Sequence, residues 1–275
     1  MTIDQVKQIL QQYGMKPNET YGQNFLLNDI VLQDMVDSVP MKKGDGILEV
    51  GPGLGNLSRY LADTGHEVFS VEKDPKFLPV LRAVKKDYKN FDFKVDDILK
   101  FDFQTKFKSH KRYHVVANIP YYITGKIIQL FVQAKHKPKS ITILIQKEVA
   151  ENVTAKPGRL NLLAISVQLH GQAKLLQKVL ARDFYPAPKV DSSVIQIILD
   201  DRPKYEVDDE KRFFGLLRAC FSGKRKQLHN TLTNYLQKPK DEVIKILESL
   251  KIDSAARPQE LSIEEWVRLY KKVNE

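Results

Sequence analysis

Between residues 47 and 145, short apolar runs alternate with stretches of helical periodicity, and this rhythm restricts the fold more than any other feature of the chain. The runs are Ile47-Leu48-Glu49-Val50, 67–72, the alternating Phe91-Asp92-Phe93-Lys94-Val95, 113–117 and the wholly apolar 141–145. Helix-patterned segments at 57–62, 77–84 and 127–134 fall between them. Strands that alternate with helices at this spacing close into a parallel sheet covered on both faces. A late apolar run at 194–199 predicts one further strand at the end of the sheet.

The flanks read differently. Ile3, Val6, Ile9, Leu10 and Tyr13 recur at helical spacing before Gly14 and Pro17. A second helix carries Ile30, Val31, Met35 and Val36 and runs to Pro40. After Asp200-Asp201-Arg202-Pro203 the pattern predicts helices over 208–236, 241–250 and 262–273, and no strand. Ser262 and Glu265 form a capping-box signature there. The expected architecture is an α/β domain over 1–200, with 1–40 as a helical lead-in, and a small all-helical domain over 201–275.

A length of 275 residues suits one large and one small domain, and 42% hydrophobic residues suffice for a core. No apolar run approaches the ~20 residues of a membrane helix. Met1-Thr2-Ile3-Asp4-Gln5-Val6 lacks a basic start followed by an apolar stretch. A cytoplasmic protein with no membrane partner, and a monomer, is the expectation. The single cysteine, Cys220, excludes an intrachain disulfide, and the six histidines have no ligand spacing, so no metal is expected. His170 and His229 read as packing or surface residues.

Glu49-Val50-Gly51-Pro52-Gly53-Leu54-Gly55-Asn56 follows the first strand of the alternating region and opens a helix. Glycines there allow a tight turn and a close approach to a ligand. Glu72 closes the next strand about 20 residues on, where an acid accepts ribose hydroxyls. A dinucleotide fingerprint needs glycine at 56, and Asn56 stands there, which disfavours a nicotinamide dehydrogenase. Glu49, two residues upstream of Gly51, predicts an acidic rim suited to a cationic ligand. Asp96-Asp97 follow the third strand; Asp97 there could accept an adenine amine, although such a pair is also an ordinary solvated turn.

Asn118-Ile119-Pro120-Tyr121 follows the 113–117 strand directly, at the edge where open α/β sheets bind ligands. The composition suits transfer to adenine N6, whose lone pair is conjugated into the ring. The Asn118 amide oxygen and a main-chain carbonyl near Pro120 can each accept one N6 hydrogen, and Tyr121 offers a face for stacking. Proline at 120 fixes φ and holds the neighbouring carbonyls. Asn-x-Pro is alone a common turn; the glycine turn and Glu72 at matching spacing give it weight.

The net charge of +10 attracts polyanions, and its distribution is informative. Residues 211–240 contain no acid and carry Lys211, Arg212, Arg218, Lys224, Arg225, Lys226, Lys238 and Lys240 beside an apolar stripe. Arg218, Lys224, Arg225 and Lys226 are the candidate RNA contacts.

Taken together these blocks resemble the ribosomal RNA adenine N6,N6-dimethyltransferases of the KsgA (RsmA) type. The resemblance runs through Gly22-Gln23-Asn24-Phe25-Leu26, the glycine turn, Asn118 to Thr124, Gln146 to Ala150, Phe184 to Ser192, Arg218 to Phe221 and Lys224 to Leu228. It implies a Rossmann-like methyltransferase sheet and S-adenosylmethionine as cofactor, with S-adenosylhomocysteine as product. Asn24, Leu26, Gly51, Gly53, Glu72, Asp97 and Asn118 would line the cofactor site. Asn118, Pro120 and Tyr121 would serve transfer, with Phe184 flanking the base opposite Tyr121, and Lys189-Val190-Asp191 would shape the base pocket. The implied substrate is a pair of adjacent adenosines in the 3′-terminal hairpin loop of small-subunit rRNA, in a ribosome-assembly intermediate. The alternatives are a large-subunit rRNA adenine methylase of the macrolide-resistance type and a non-catalytic assembly factor. The chain departs from the family pattern at Leu160-Asn161, at Leu180-Ala181-Arg182 and at Asn18-Glu19-Thr20-Tyr21.

Overall fold

The computed structural model describes residues 1–18, 22–202, 204–223 and 226–275. The elements run α1 (Ile3–Gln12), β1 (Phe25–Leu26), α2 (Asp29–Asp37), β2 (Gly46–Val50), α3 (Asn56–Asp63), β3 (Glu67–Glu72), α4 (Leu78–Asp87), β4 (Phe91–Val95), α5 (Phe103–Lys106), β5 (Tyr113–Asn118), α6 (Thr124–Val132), β6 (Ser140–Gln146) and α7 (Lys147–Val153). They continue with α8 (Leu162–His170), β7 (Gly171–Val179), β8 (Phe184–Tyr185), β9 (Ser192–Leu199), α9 (Glu210–Phe221), α10 (Leu228–Leu236), α11 (Lys240–Ser249) and α12 (Ile263–Asn274). None of the helices is long and apolar enough to cross a membrane among the described residues.

Seven strands form one sheet in the order β4-β3-β2-β5-β6-β9-β7. β2 to β6 are mutually parallel, and β9 is antiparallel to β6. The five parallel strands are those the alternating pattern predicts. The order reverses direction between β2 and β5, which makes the carboxyl edge there the expected binding crevice. β2 is buried along its whole length, as a central parallel strand should be. β7 carries no alternating apolar signal, since Gly171-Gln172-Ala173-Lys174 and Gln177-Lys178 expose one side of an edge strand. β1 and β8 pair as a two-residue ladder, Phe25 opposite Tyr185 and Leu26 opposite Phe184, too short for any periodicity.

The chain separates into two compact units, 1–151 with 172–199 and 152–171 with 200–275. A division at residue 200 therefore does not follow the structure in full, because α8 packs with the C-terminal helices. Leu160, Ala164, Ile165 and Leu169 join Phe213, Leu217, Leu228 and Trp266 in that unit's apolar core. The departure at Leu160-Asn161 has a local reason here. Leu160 is buried, and the Asn161 side chain caps α8 by accepting the N–H groups of Leu163 and Ala164. The single helix expected over 208–236 is two, α9 and α10, broken after Phe221 at Ser222-Gly223. His229 and His170 are buried packing residues, and Cys220 is buried with its thiol pushed up to about 12 by desolvation.

At the amino end of the sheet, His114 of β5 lies between the Asp45 carboxylate (2.9 Å) and the Ser140 hydroxyl (2.8 Å). This buried series ties together the starts of β2, β5 and β6. Its serine is sealed from solvent, so it is a structural clasp.

Candidate active site

The loops after β2, β3, β4 and β5 all open on the carboxyl edge of the sheet and line one cleft of about 1080 Å³ of empty space, open solvent included. The glycine turn forms its floor. Gly53 (φ 52°) and Gly55 (φ 73°) both hold left-handed backbone that a side chain disfavours. A Cβ at Gly55 would also meet Val84 Cγ2 at 2.8 Å.

Glu72 ends β3 and clasps this turn. One carboxylate oxygen accepts the Gly53 N–H at 3.0 Å and the other the Asp74 N–H at 2.8 Å. Burial pushes its pKa up, and those N–H groups oppose the shift. Each oxygen retains a lone pair for a ligand hydroxyl. Asp97, after β4, accepts the Leu99 N–H and lies 3.0 Å from the Lys73 ammonium. Burial raises its pKa, but the Lys73 bond and the Leu99 N–H outweigh it, so the carboxyl is held below the usual range. The cleft wall carries Glu72, Asp74, Asp96 and Asp97 against the one cation, Lys73, among the described residues. This is a wall for a cation and a poor one for a pyrophosphate.

The acidic rim thus exists, but Glu49 is not part of it. Glu49 is 1% exposed and takes hydroxyl hydrogen bonds from Ser58 (2.6 Å) and Ser70 (2.5 Å) beneath the turn. As the fourth residue of a strand buried on both faces, it points into the protein rather than the cleft. Desolvation pushes its pKa up to about 7, against the pull of the two serines.

Asn118 is the last residue of β5. Its amide nitrogen donates to the Asn24 carbonyl at 3.2 Å, which fixes the side chain's sense and leaves Oδ1 as an acceptor. Ile119, also lining the cleft, has a carbonyl that accepts no hydrogen bond among the described residues. The Pro120 carbonyl is taken by the Ile123 N–H at 3.3 Å. Tyr121 lines the cleft, and its hydroxyl meets Ser192 Oγ at 2.7 Å. Burial raises the Tyr121 pKa, and Ser192 tempers this.

Gly22 to Leu26 close the remaining side. The Asn24 side chain bonds Gly22 O, and the Leu26 carbonyl accepts the Asn56 amide at 3.1 Å. The structure thus brings Asn24, Leu26, Gly51, Gly53, Glu72, Asp97, Asn118, Pro120 and Tyr121 to one cleft. Phe184 is the exception. It is 3% exposed, packs in the main core opposite Leu26 on the β1–β8 ladder, and does not line the cleft.

Sequence reasoning gave no role to Gln23, Asp74 or Ser192. The Gln23 amide donates to Asp74 Oδ2 at 3.0 Å, tying the N-terminal segment to the end of β3. The Asp74-Pro75 pair is a turn-start signature that could have flagged Asp74. Ser192 has no local signal, because its partner lies 71 residues away. In the helical unit Arg218 and Lys226 are exposed, while Lys224 and Arg225 lie outside the described residues. No group of His, Cys, Asp and Glu suited to a metal occurs among the described residues.

A sheet of this order, with its cleft over the β2 turn and Asn118 at the next strand end, defines the Rossmann-like methyltransferase class. The family model described as ribosomal RNA adenine dimethylase matches residues 14–275. The chain is 38% identical over 265 residues to ribosomal RNA small subunit methyltransferase A of Clostridium botulinum (strain Kyoto / Type A2), covering 96% of both. It is 37% identical to the protein of that name from Dehalococcoides mccartyi (strain BAV1), covering 96% of this chain and 91% of that one. Among solved structures, a dimethyladenosine transferase from Plasmodium falciparum aligns with TM-score 0.75 at 26% identity, over 89% of this chain and 95% of that one. The 23S rRNA methyltransferase ErmE aligns with TM-score 0.73 at 26% identity, over 92% and 100%. The chain belongs to the ribosomal RNA adenine dimethylase family.

Proposed function

We propose that this protein dimethylates N6 of two adjacent adenosines in the 3′-terminal hairpin loop of small-subunit rRNA, using S-adenosylmethionine. The observation that carries the chemistry is Asn118, its amide oriented by the Asn24 carbonyl at the edge of the acid-walled cleft. The acidic wall and the absence of a phosphate-binding lysine at the glycine turn suit a cationic nucleoside. Glu72 would take the ribose hydroxyls and Asp97 the adenine amine, with Asn24, Leu26, Gly51 and Gly53 framing the rest. When bound, S-adenosylmethionine supplies a methyl group on a positively charged sulfur.

The chain's own residues prepare the acceptor. Asn118 Oδ1 and the Ile119 carbonyl each take one N6 hydrogen, which draws the nitrogen out of conjugation and exposes its lone pair. Pro120 holds that carbonyl in place. Tyr121, tethered by Ser192, gives the base a face to stack on. No general base need act beforehand, because the amine becomes acidic only after alkylation. Arg218 and Lys226, with Lys224 and Arg225, would hold rRNA phosphates.

The small-subunit substrate rests on the relatives' names. ErmE aligns almost as well in structure as the dimethyladenosine transferase, so sheet geometry does not separate the two substrates. The intact Asn118 motif argues against a non-catalytic factor. The reading further includes a monomeric, cytoplasmic enzyme acting on a partly assembled small subunit. Mass spectrometry of small- and large-subunit rRNA after incubation with protein and cofactor tests it. Dimethyladenosine in the small-subunit 3′ hairpin is expected, and methylation confined to large-subunit rRNA would refute the assignment.

A further inference from the structure

The end of the sheet opposite the cleft carries a second concentration of positive charge. β2, β5 and β6 are adjacent and parallel, so the loops that lead into them lie side by side, about 5 Å apart from strand to strand. Those loops, 41–45, 107–112 and 133–139, contain Lys42, Lys43, Lys108, Lys111, Arg112, Lys135, Lys137 and Lys139. Their single acid is Asp45, buried against His114. Eight cations thus converge with no surface acid in the same loops. In sequence they are scattered over almost 100 residues, and only the parallel topology assembles them.

The loops are held in shape. Gly46 N–H donates to Arg112 O (3.1 Å) and Lys139 N–H to Tyr113 O (2.8 Å). Lys42 N–H donates to Asp45 Oδ2 (2.8 Å), and the Gln104 side chain accepts from Lys135 and His136 N–H (2.9 and 3.1 Å). Lys42, Lys43, Lys108, Lys111 and Lys135 are exposed, and none forms an ion pair among the described residues. A surface grown only for solubility mixes both signs. The neighbouring start of β3 adds one exposed acid, Glu67, which pairs with Lys106 and His110 and leaves these five lysines unneutralised, and such lysines suit a polyanion's backbone.

We infer that this amino-end face binds the phosphate backbone of rRNA outside the target hairpin. The inference rests on the proposed function for the identity of the polyanion. The face is one strand length from Asn118, roughly 20 Å for the six residues of β5. RNA seated there is a different segment from the base in the cleft, so this surface selects a folded rRNA over a free hairpin.

The test compares the double variants K42E/K43E and K108E/K111E with K174E/K178E, which makes the same charge change on exposed positions of β7. Binding is measured by fluorescence anisotropy against a labelled full-length small-subunit rRNA transcript and against the isolated 3′-terminal hairpin, over a salt series. Each amino-end double is expected to weaken transcript binding at least fivefold at 0.15 M salt. It should also lower the slope of log affinity against log salt by about 1–2, while hairpin affinity changes less than twofold. K174E/K178E should stay within twofold on both RNAs. Unchanged transcript binding, an equal loss on the hairpin, or an equal loss in K174E/K178E would each overturn the inference. Circular dichroism checks that the variants are folded. Dimethyladenosine formed by the wild type on partly assembled small subunits is scored separately, so failure of the proposed methyl transfer and failure of this surface give different results.

Discussion

Asn118 concentrates what one residue contributes. Its Nδ2 donates to Asn24 O, which orients the amide and leaves Oδ1 to accept from a base. Asn118→Ala is expected to lower the methyl-transfer rate about 100-fold or more, with cofactor affinity within a few-fold by calorimetry. Ser192 acts at second hand. Its removal takes the partner from the half-buried Tyr121 hydroxyl, so Ser192→Ala should destabilise the fold by about 1 kcal/mol in urea titrations. The double variant with Tyr121→Phe should recover part of that loss, as removing both partners of a hydrogen bond does. Glu49 makes the protein's stability depend on pH. Its folded pKa of about 7 stands above the ordinary glutamate value of 4.5. The stability tied to its protonated form is therefore complete below about pH 4.5 and lost as pH rises through 7. Glu49→Gln should flatten the stability profile across that window, by an amount of order 2–3 kcal/mol, read from melts at pH 5 and 8.

At the level of elements, legibility followed periodicity. The five parallel strands were readable because β2, β3, β5 and β6 are buried on both faces, β4 alternates as an edge strand does, and all are bounded by turn residues. β7 was not, since an edge strand with Lys174 and Lys178 exposed has no apolar alternation to detect. The β1–β8 ladder is two residues long and joins segments about 160 positions apart, so only the fold reveals that Leu26 backs onto Phe184. The glycine turn was legible, including its demand for small residues. Gly55→Ala adds strained backbone to a clash with Val84 and is expected to cost about 2–4 kcal/mol, with a matching drop in melting temperature. The break between α9 and α10 was hidden because the apolar stripe continues on either side of Ser222-Gly223.

For the whole molecule, charge layout separates affinity from chemistry. Arg218→Glu with Lys226→Glu should weaken rRNA binding and reduce its salt slope by about 2 while leaving cofactor affinity unchanged. The sequence by itself determined the sheet, the glycine turn with its acid, and the Asn118 motif, because each is written in contiguous residues whose spacing matches a local geometry. It also carried the family, through blocks in a fixed order. Only the tertiary structure decided that Glu49 turns inward while Asp74, Asp96 and Asp97 supply the acidic wall. It likewise decided that Ser192 tethers Tyr121, that α8 belongs with the C-terminal helices, and that three distant loops pool their lysines. These depend on which strands become neighbours and which way a side chain faces once both sides of the sheet are covered, and no local window of sequence contains that information.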